Sequence, residues 1–591
     1  MIRISLTSKL LNMKSKFSFL FLVIFISSKS FSQLYITNVS VVDVINKKII
    51  AGQTVVVAEN KIADIKPTGK VKPAVNATLI DGTGKYIMPG MTDAHVHFFQ
   101  SGGLYARPDA MDLRNVAPYD KELAWVHNNM EDLLRRYVRA GITSVVDVGA
   151  SYSFLQQRDS FANKAYAPTI YMTGPLLTSY EPQVFVGLKN EEPFKLFTTA
   201  ENAKQFVQEQ LAYHPDFIKI WFIVSIGGDI EKNARKYEPM LKAIVEEAHK
   251  NNLKVAVHAT ERIAAEIAVQ NGADFLVHSV EDEVVSDVFL KLLKAKNTVL
   301  CPTMVVADGY SNTFGQKHQL SLYDLTTANP QQIGSLFDLK HLQDSAKITA
   351  MKKYFSSDKT IAANLHEDSV RKINLKKMVD AGITITAGTD AGNIGTQHVS
   401  SYMGELKAMQ QSGITNWQLL QAATINGAKI FSNENKTGSI SIGKNADMIL
   451  LHANPVENID NLTNIAYVIN KGSLIKPDTL VKETNLALVQ RQLNAYNARN
   501  IQAFLEPYSD DVELYNFPDK LISKGKDAMR KGYDDFFKNT PELHCEIKSR
   551  TIQGNYIIDQ ESVTGLGNKK LEATAIYYIN AGKIQKVYFL D

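Results

Sequence analysis

The densest chemistry in the chain begins at Thr92-Asp-Ala-His-Val-His97, where two imidazoles two residues apart on a strand project from one face and can grip one metal ion. Further donors close short apolar runs: Lys219 in Phe217-Ile-Lys-Ile-Trp221, His258 in Val255-Ala-Val-His258, His278 in Phe275-Leu-Val-His278, and Asp390 in Ala387-Gly-Thr-Asp390. A lone imidazole is more often a hydrogen-bonded core group than a ligand, but six metal-capable groups at strand ends are poorly explained that way. Lys219 needs a separate account. A lysine in a buried strand has its ammonium form disfavoured by desolvation, so its pKa falls and the neutral amine can take up carbon dioxide. The carbamate has two oxygens able to bridge two divalent cations; the competing reading is an inward lysine paired with an acid.

The elements that must position these groups are legible as alternating text. Eight apolar runs, Ile87–Ala94, Ser144–Val148, Thr169–Thr173, Phe217–Phe222, Lys254–His258, Phe275–His278, Val299–Pro302 and Ile383–Ala387, alternate with helical stretches. That is βαβ grammar, and eight units close into a (β/α)8 TIM barrel over 89–432, a fold whose chemistry sits at the C-terminal strand ends. Helix 120–140 illustrates the unit, with Asp120 expected to cap it and Gly141 to end it. Ala-Gly-Ile-Thr recurs at 140–143 and 381–384, each time between a helix and a strand, as one structural solution reused. The long interval between Met304 and Ile383 predicts a lid or an added helical pair.

Short alternating strands with glycine turns fill 33–88 and 433–475, predicting a composite β-sandwich made from both flanks of the barrel. Beyond a charged linker, 485–591 opens with an amphipathic helix and continues in strands, predicting a compact α+β unit.

Composition narrows the function classes. With 591 residues, 45% hydrophobic, and a net charge of +4 on 65 basic and 61 acidic residues, the chain has neither a disordered composition nor a nucleic-acid footprint. A small-molecule partner is expected, with self-association left open. The cysteines, Cys301 and Cys545, fall in different predicted domains and offer no disulfide framework. Residues 1–32 read as a signal peptide: Lys14 and Lys16 precede the apolar run 17–26, and Ser30-Phe-Ser32 supplies a small-x-small cleavage pattern. The run is too short to span a bilayer, so export to the periplasm or outside, with no stable membrane span after cleavage, is the expectation.

Taken together, Thr92–His97, Asp216-Phe-Ile-Lys219, Val255–Ala259, Phe275–Ser279 and Ala387–Asp390 resemble the amidohydrolase superfamily, nearest its imidazolonepropionase-like and prolidase-like branch, over about Leu34–Leu474. The resemblance implies a binuclear zinc site with two Zn2+ per chain. His95, His97, carboxylated Lys219 and Asp390 would hold one ion, and Lys219, His258 and His278 the other. It implies further that a metal-activated hydroxide attacks a small amide or peptide, such as a dipeptide or N-acyl amino acid, while Asp390 shuttles the proton. In the similar prolidase-like enzymes a tyrosine matching Tyr237 holds the substrate carboxylate; a packing role is the alternative. His258-Ala-Thr-Glu261 resembles the His-x-x-Glu of mononuclear deaminases, so a deaminase or lactone hydrolase on the same barrel is a second reading. A catalytically dead ligand-binding protein is the third. Tyr496-Asn-Ala-Arg499, Asp510–Tyr515 and Lys524–Met529 resemble the ketosteroid-isomerase-like cone fold.

Overall fold

A computed structural model describes residues 33–342 and 345–590; the expected signal segment, 1–32, lies outside the described residues. The chain opens into a sheet that it completes only after the barrel is built. Leu34–Asp43 pairs with Lys48–Ala58, which pairs with Lys61–Pro67. On its other side Leu34–Asp43 lies parallel to Tyr86–Pro89, whose outer neighbour is Met448–Leu451, followed by Ile465–Asn470 and Ser473–Ile475. Alternation decides the two faces. Ile87, Met448, Leu450 and Ile469 enter the sheet's own core with Leu34 and Ile36, whereas Met88, Ile449, Leu451 and Val468 join the core of the barrel.

The first barrel strand is Met91–Val96, so the expected strand Ile87–Ala94 divides at Gly90 between two sheets. Glycine is required at that crossing because a Cβ would fall 2.1 Å from Thr143 Oγ1. Met91–Val96, Ile142–Asp147 and Thr169–Met172 form one parallel sheet. Phe217–Trp221, Lys254–His258, Phe275–Val277 and Val299–Cys301 form a second, extended at one side by Leu176–Thr178 and Phe194–Leu196.

Two seams join these arcs, and neither is a regular ladder, so the barrel is not closed by continuous hydrogen bonding. At one, Asp216 N donates to Met172 O at 2.9 Å and Met172 N to the Asp216 carboxylate at 2.8 Å. At the other, the eighth stave is the extended segment 383–391, with Thr386 N donating to Leu300 O (2.8 Å), Ala94 N to Ala387 O (2.9 Å) and His97 N to Ala391 O (2.8 Å).

Helix Tyr119–Arg139 buries Leu123, Val126, Met130, Leu133, Leu134 and Tyr137, the spacing of one helical face. Asp120 does not cap it. Pro118 holds that position without a side-chain bond, and Asp120 and Glu122 occupy the first turn, where the helix dipole favours negative charge. The repeated Ala-Gly places Gly141 (φ 79°) and Gly382 (φ 78°) just past two helices, in the left-handed conformation that glycine adopts without cost.

The interval after Met304 is helical: Val306–Phe314, Leu322–Thr327, Pro330–Ser335, Ser345–Phe355 and Asp358–Asp380. It forms the floor on which the C-terminal unit stands. That unit is a six-stranded sheet in the order Lys520–Lys524, Tyr508–Asn516, Lys583–Leu590, Lys569–Asn580, Tyr556–Leu566, His544–Gln553, with helices Asn485–Asn497, Ile501–Leu505 and Lys526–Asn539. Leu325, Ile333 and Leu336 of the floor share a buried cluster with Leu488, Leu493 and Phe504. Asn494 Nδ2 donates to Pro330 O at 2.6 Å, and a ring nitrogen of His341 lies 2.8 Å from one of His544. Gly334 is bare where Asn494 passes, since a Cβ there would come within 2.7 Å of Asn494 Oδ1.

Asn494→Ala removes the side-chain donor to the Pro330 carbonyl, a loss of ~0.5–1.5 kcal/mol. A lower urea midpoint with unchanged slope is the expected result; an unchanged midpoint would show that docking does not depend on this bond.

Candidate active site

His95 and His97 end the first barrel strand on one face, as the two-residue period requires, and both are buried. Their Nε2 atoms are 3.4 Å apart, and Asp390 Oδ1 lies 3.0 Å from the first and 3.3 Å from the second. Such a triangle has a common point about 2 Å from all three atoms, the length of a zinc bond to nitrogen or oxygen. His278 Nε2 is 3.9 Å from Asp390 Oδ2, and the His258 ring stands 4.4 Å from that of His278, centroid to centroid. Lys219, 1% exposed, opens from the fourth stave into the same cavity of about 250 Å³ as His97, His258, His278 and Asp390. The six predicted donors therefore meet at the C-terminal ends of the staves.

Several groups hold these ligands from behind. His97 Nδ1–H donates to Gly149 O at 2.8 Å, which turns Nε2 inward with its lone pair free; His278 Nδ1 is 2.6 Å from Thr303 Oγ1 and is fixed likewise. Asp147 accepts from Phe98 N (2.8 Å) and Gly149 N (3.0 Å), so it steadies both neighbours of His97. Asp93 accepts from Thr389 N (3.0 Å) and Thr389 Oγ1 (2.9 Å), tying the first stave to the last. His278 and Asp390 sit at φ 76° and 60°, a conformation costing ~1–3 kcal/mol for residues other than glycine. Their backbone amides are held by Cys301 O (2.9 Å) and His95 O (2.8 Å) respectively. Gly388 permits this crowding, because a Cβ would lie 2.5 Å from Cys301 Sγ and 2.7 Å from His95 N.

Burial sets the protonation states. It pushes His95 down to about 4 and His258 and His278 well below the usual imidazole range, and lowers Lys219 to about 7. Burial works against the charge of Asp390, yet the His95 and His97 imidazoles beside it hold its carboxyl well below the ordinary carboxylate range. Neutral imidazoles, an ionised carboxylate and a lysine close to deprotonation are what a divalent ion requires of its ligands. Asp390 Oδ1 is buried without a hydrogen bond, and Lys219 Nζ makes none among the described residues. Left so, such groups cost stability; around cations they are satisfied. The donor set fits the metal chemistry.

Tyr237 is not brought to this cavity. In the sequence Pro239, two residues past Tyr237, reads as a helix start, but the helix begins at Ile230, capped by Asp229 accepting from Lys232 N. Tyr237 therefore lies mid-helix, half-buried, its ring 6.1 Å from that of Phe197. Glu261 is likewise the residue before helix Arg262–Gln270 and does not line the cavity. The polar groups that do line it were absent from the sequence reading. Arg107 Nη1 donates to Asn393 Oδ1 (2.5 Å), Tyr310 Oη donates to the same oxygen (2.7 Å), and Arg371 Nη1 donates to Glu281 Oε2 (3.0 Å). The signal each had was its place alone, Arg107 in the stretch 98–112 that follows the two histidines and Tyr310 and Arg371 in the long interval after Met304.

Comparison with known proteins gives the family and the fold. The sequence profile of the Amidohydrolase family matches residues 86–475, and that of the SnoaL-like domain matches 489–587. An enamidase from Eubacterium barkeri is 23% identical over 320 residues, 52% of this chain and 73% of that protein. A 5-methylthioadenosine/S-adenosylhomocysteine deaminase from Carboxydothermus hydrogenoformans is 23% identical over 79% of this chain and 96% of its own length. Among solved structures, a putative prolidase from Bifidobacterium longum superposes with a TM-score of 0.56 at 22% identity, covering 78% of this chain and 98% of that one. With the matched region spanning the barrel, the flanking strands from Tyr86–Pro89 and Met448–Leu451 to Ser473–Ile475 and all six converging donors, the chain belongs to the amidohydrolase family.

Proposed function

We propose that the protein is a binuclear zinc hydrolase that cleaves the amide C–N bond of a small substrate, such as a dipeptide or an N-acyl amino acid. The observation carrying this reading is the meeting of His95, His97, His258, His278 and Asp390 around a cavity into which Lys219, buried and without a hydrogen bond among the described residues, also opens. Two zinc ions, held on the one side by His95, His97 and Asp390 and on the other by His258 and His278, with carboxylated Lys219 between, would supply an acidified water and a Lewis acid for the substrate carbonyl.

The remaining chemistry belongs to the chain. Asp390 is placed to take the proton of the attacking water and deliver it to the departing nitrogen as water oxygen bonds to carbon and the C–N bond breaks. Thr389 and Asp93 keep that carboxylate in place through the eighth stave. Phe99, Leu176, Phe194 and Trp221 wall the cavity and keep the reacting carbonyl out of bulk water. Arg107 and Arg371 are the guanidinium groups lining the cavity, each already paired with a carboxylate, Asp109 and Glu281 respectively, so a carboxylate-bearing substrate would have to share them.

A mononuclear deaminase is the second reading, favoured by the deaminase relative. Glu261, the residue such chemistry would use, stands outside the cavity, so the hydrolase is preferred. Export, read from 14–32, is also part of the proposal.

Four outcomes are expected. A panel of dipeptides, N-acyl amino acids and aminopurine nucleosides assayed for acid, amine and ammonia should release acid and amine from the amides; ammonia alone from the nucleosides would overturn the reading. Asp390→Asn should lower kcat at least ~10²-fold while elemental analysis still finds most of the zinc. Lys219→Ala should lose metal together with activity, and short-chain carboxylic acids should restore part of both; a variant keeping two zinc ions would remove the bridge from the scheme. Protein recovered from the exported fraction should begin at Gln33, and recovery from the cytoplasmic fraction alone, with residues 1–32 intact, would end the export proposal.

A further inference from the structure

Leu176–Thr178 and Phe194–Leu196 pair in parallel, so the chain between them crosses over as an arch, 179–193. Both feet reach the barrel cavity, with Leu176 and Phe194 among its walls. The Phe194 ring stands 4.8 Å from that of Trp221 and 6.5 Å from that of Phe99, and Phe185 of the arch backs it at 5.4 Å. The arch therefore props one aromatic wall of the cavity from behind.

A single carboxylate fastens it. Among the described residues, Glu191 makes every side-chain hydrogen bond that runs from 180–193 to elements outside the arch and its feet. Its Oε2 accepts from Ser153 Oγ at 2.7 Å and from Ser151 Oγ at 3.0 Å, and lies 3.3 Å from His127 Nε2. Ser151 is the N-cap of helix Tyr152–Arg158, yet its hydroxyl makes no capping bond there and turns to Glu191 instead. His127, from helix Tyr119–Arg139, stacks on Phe154 with ring centroids 3.8 Å apart.

Gln157 decides where the imidazole proton sits. Its Nε2 donates to His127 O at 3.0 Å, so its Oε1, 2.7 Å from His127 Nδ1, accepts the Nδ1 proton. A neutral ring then has only a lone pair at Nε2, which competes with Glu191 for the Ser153 hydroxyl proton 3.2 Å away. An imidazolium has a second N–H to give the carboxylate. The contact is thus an ion pair that exists only while His127 is protonated. Burial works against that charge, but the hydrogen bonds to Glu191 and Gln157 raise the His127 pKa above its ordinary value. Among the described residues no other charge reaches the ring. Lys189 of the arch is exposed, Glu192 pairs with Lys195, Arg158 with Asp159 and Asp216, and Glu131, one turn along the helix of His127, with Arg135.

The geometry points to Glu191 and His127 as positioning residues: their ion pair latches the arch, the arch holds Phe194 against Trp221, and that wall receives an aromatic or bulky apolar side chain of the amide substrate. The substrate half rests on the hydrolase reading; the latch does not. Because the folded-state pKa of His127 is raised, the latch is complete below about pH 6.5 and is lost as pH rises through the folded value.

Hydrogen exchange of the full-length protein, read by mass spectrometry over 180–193 and corrected for the pH dependence of free amides, tests the latch. Protection should fall about threefold from about pH 6 to about pH 9, the scale of a half-exposed ion pair. His127→Gln should flatten that dependence, and Glu191→Ala should lower protection about tenfold at the acid end, where several hydrogen bonds are lost. In kinetics, Glu191→Ala should raise KM for N-acetyl-L-phenylalanine at least about threefold, while KM for N-acetylglycine and kcat for both move less than about twofold. Unchanged protection over 180–193 in the native protein across this pH range overturns the latch without need of any variant. Equal changes in KM for the two amides overturn the role given to Phe194. Cleavage of no amide by the native enzyme defeats the hydrolase reading, and the exchange measurement still decides the latch.

Discussion

The Asp93 carboxylate is the tie on which the barrel mouth depends. The first and eighth staves share no regular ladder, so the place of Asp390 relative to His95 and His97 rests on a few discrete bonds. Asp93 receives both the amide and the hydroxyl of Thr389, and the next amide, that of Asp390, reaches back to His95 O. Burial pushes the Asp93 carboxyl up to about 7, a measure of how much hydration it gives up to make this tie. The strained φ of Asp390 and the bare Cα of Gly388 are then intelligible together. A regular strand would carry Asp390 past the histidines, whereas the buckled one sets it against both.

Sequence reasoning reached the ligands because each is a polar residue ending an apolar run, a pattern needing no knowledge of partners. It did not reach Asp93, Asp147 or Thr303. Their roles depend on residues such as Thr389, Gly149 and His278 whose nearness only the closed barrel creates. Tyr237 was misplaced because Pro239 reads as a helix start, while the chain tolerates it inside a helix begun by the Asp229 cap. The strand 87–94 was read as continuous because Gly90 interrupts no hydrophobic period; what divides it is the close pass of Thr143. Glu191 was invisible for another reason: in polar loop text one carboxylate is spelled like any other, and only the imidazole and hydroxyls brought by two other helices distinguish it.

The flanking sheet carries a consequence for synthesis. Tyr86–Pro89 lies between Leu34–Asp43, made just before it, and Met448–Leu451, made only after every stave has left the ribosome. At ~5–20 residues per second the nascent chain spends on the order of tens of seconds with that strand's outer amides and carbonyls bare. During this window it is an open template for the wrong neighbour, and a chaperone that shields extended chain has most to protect there.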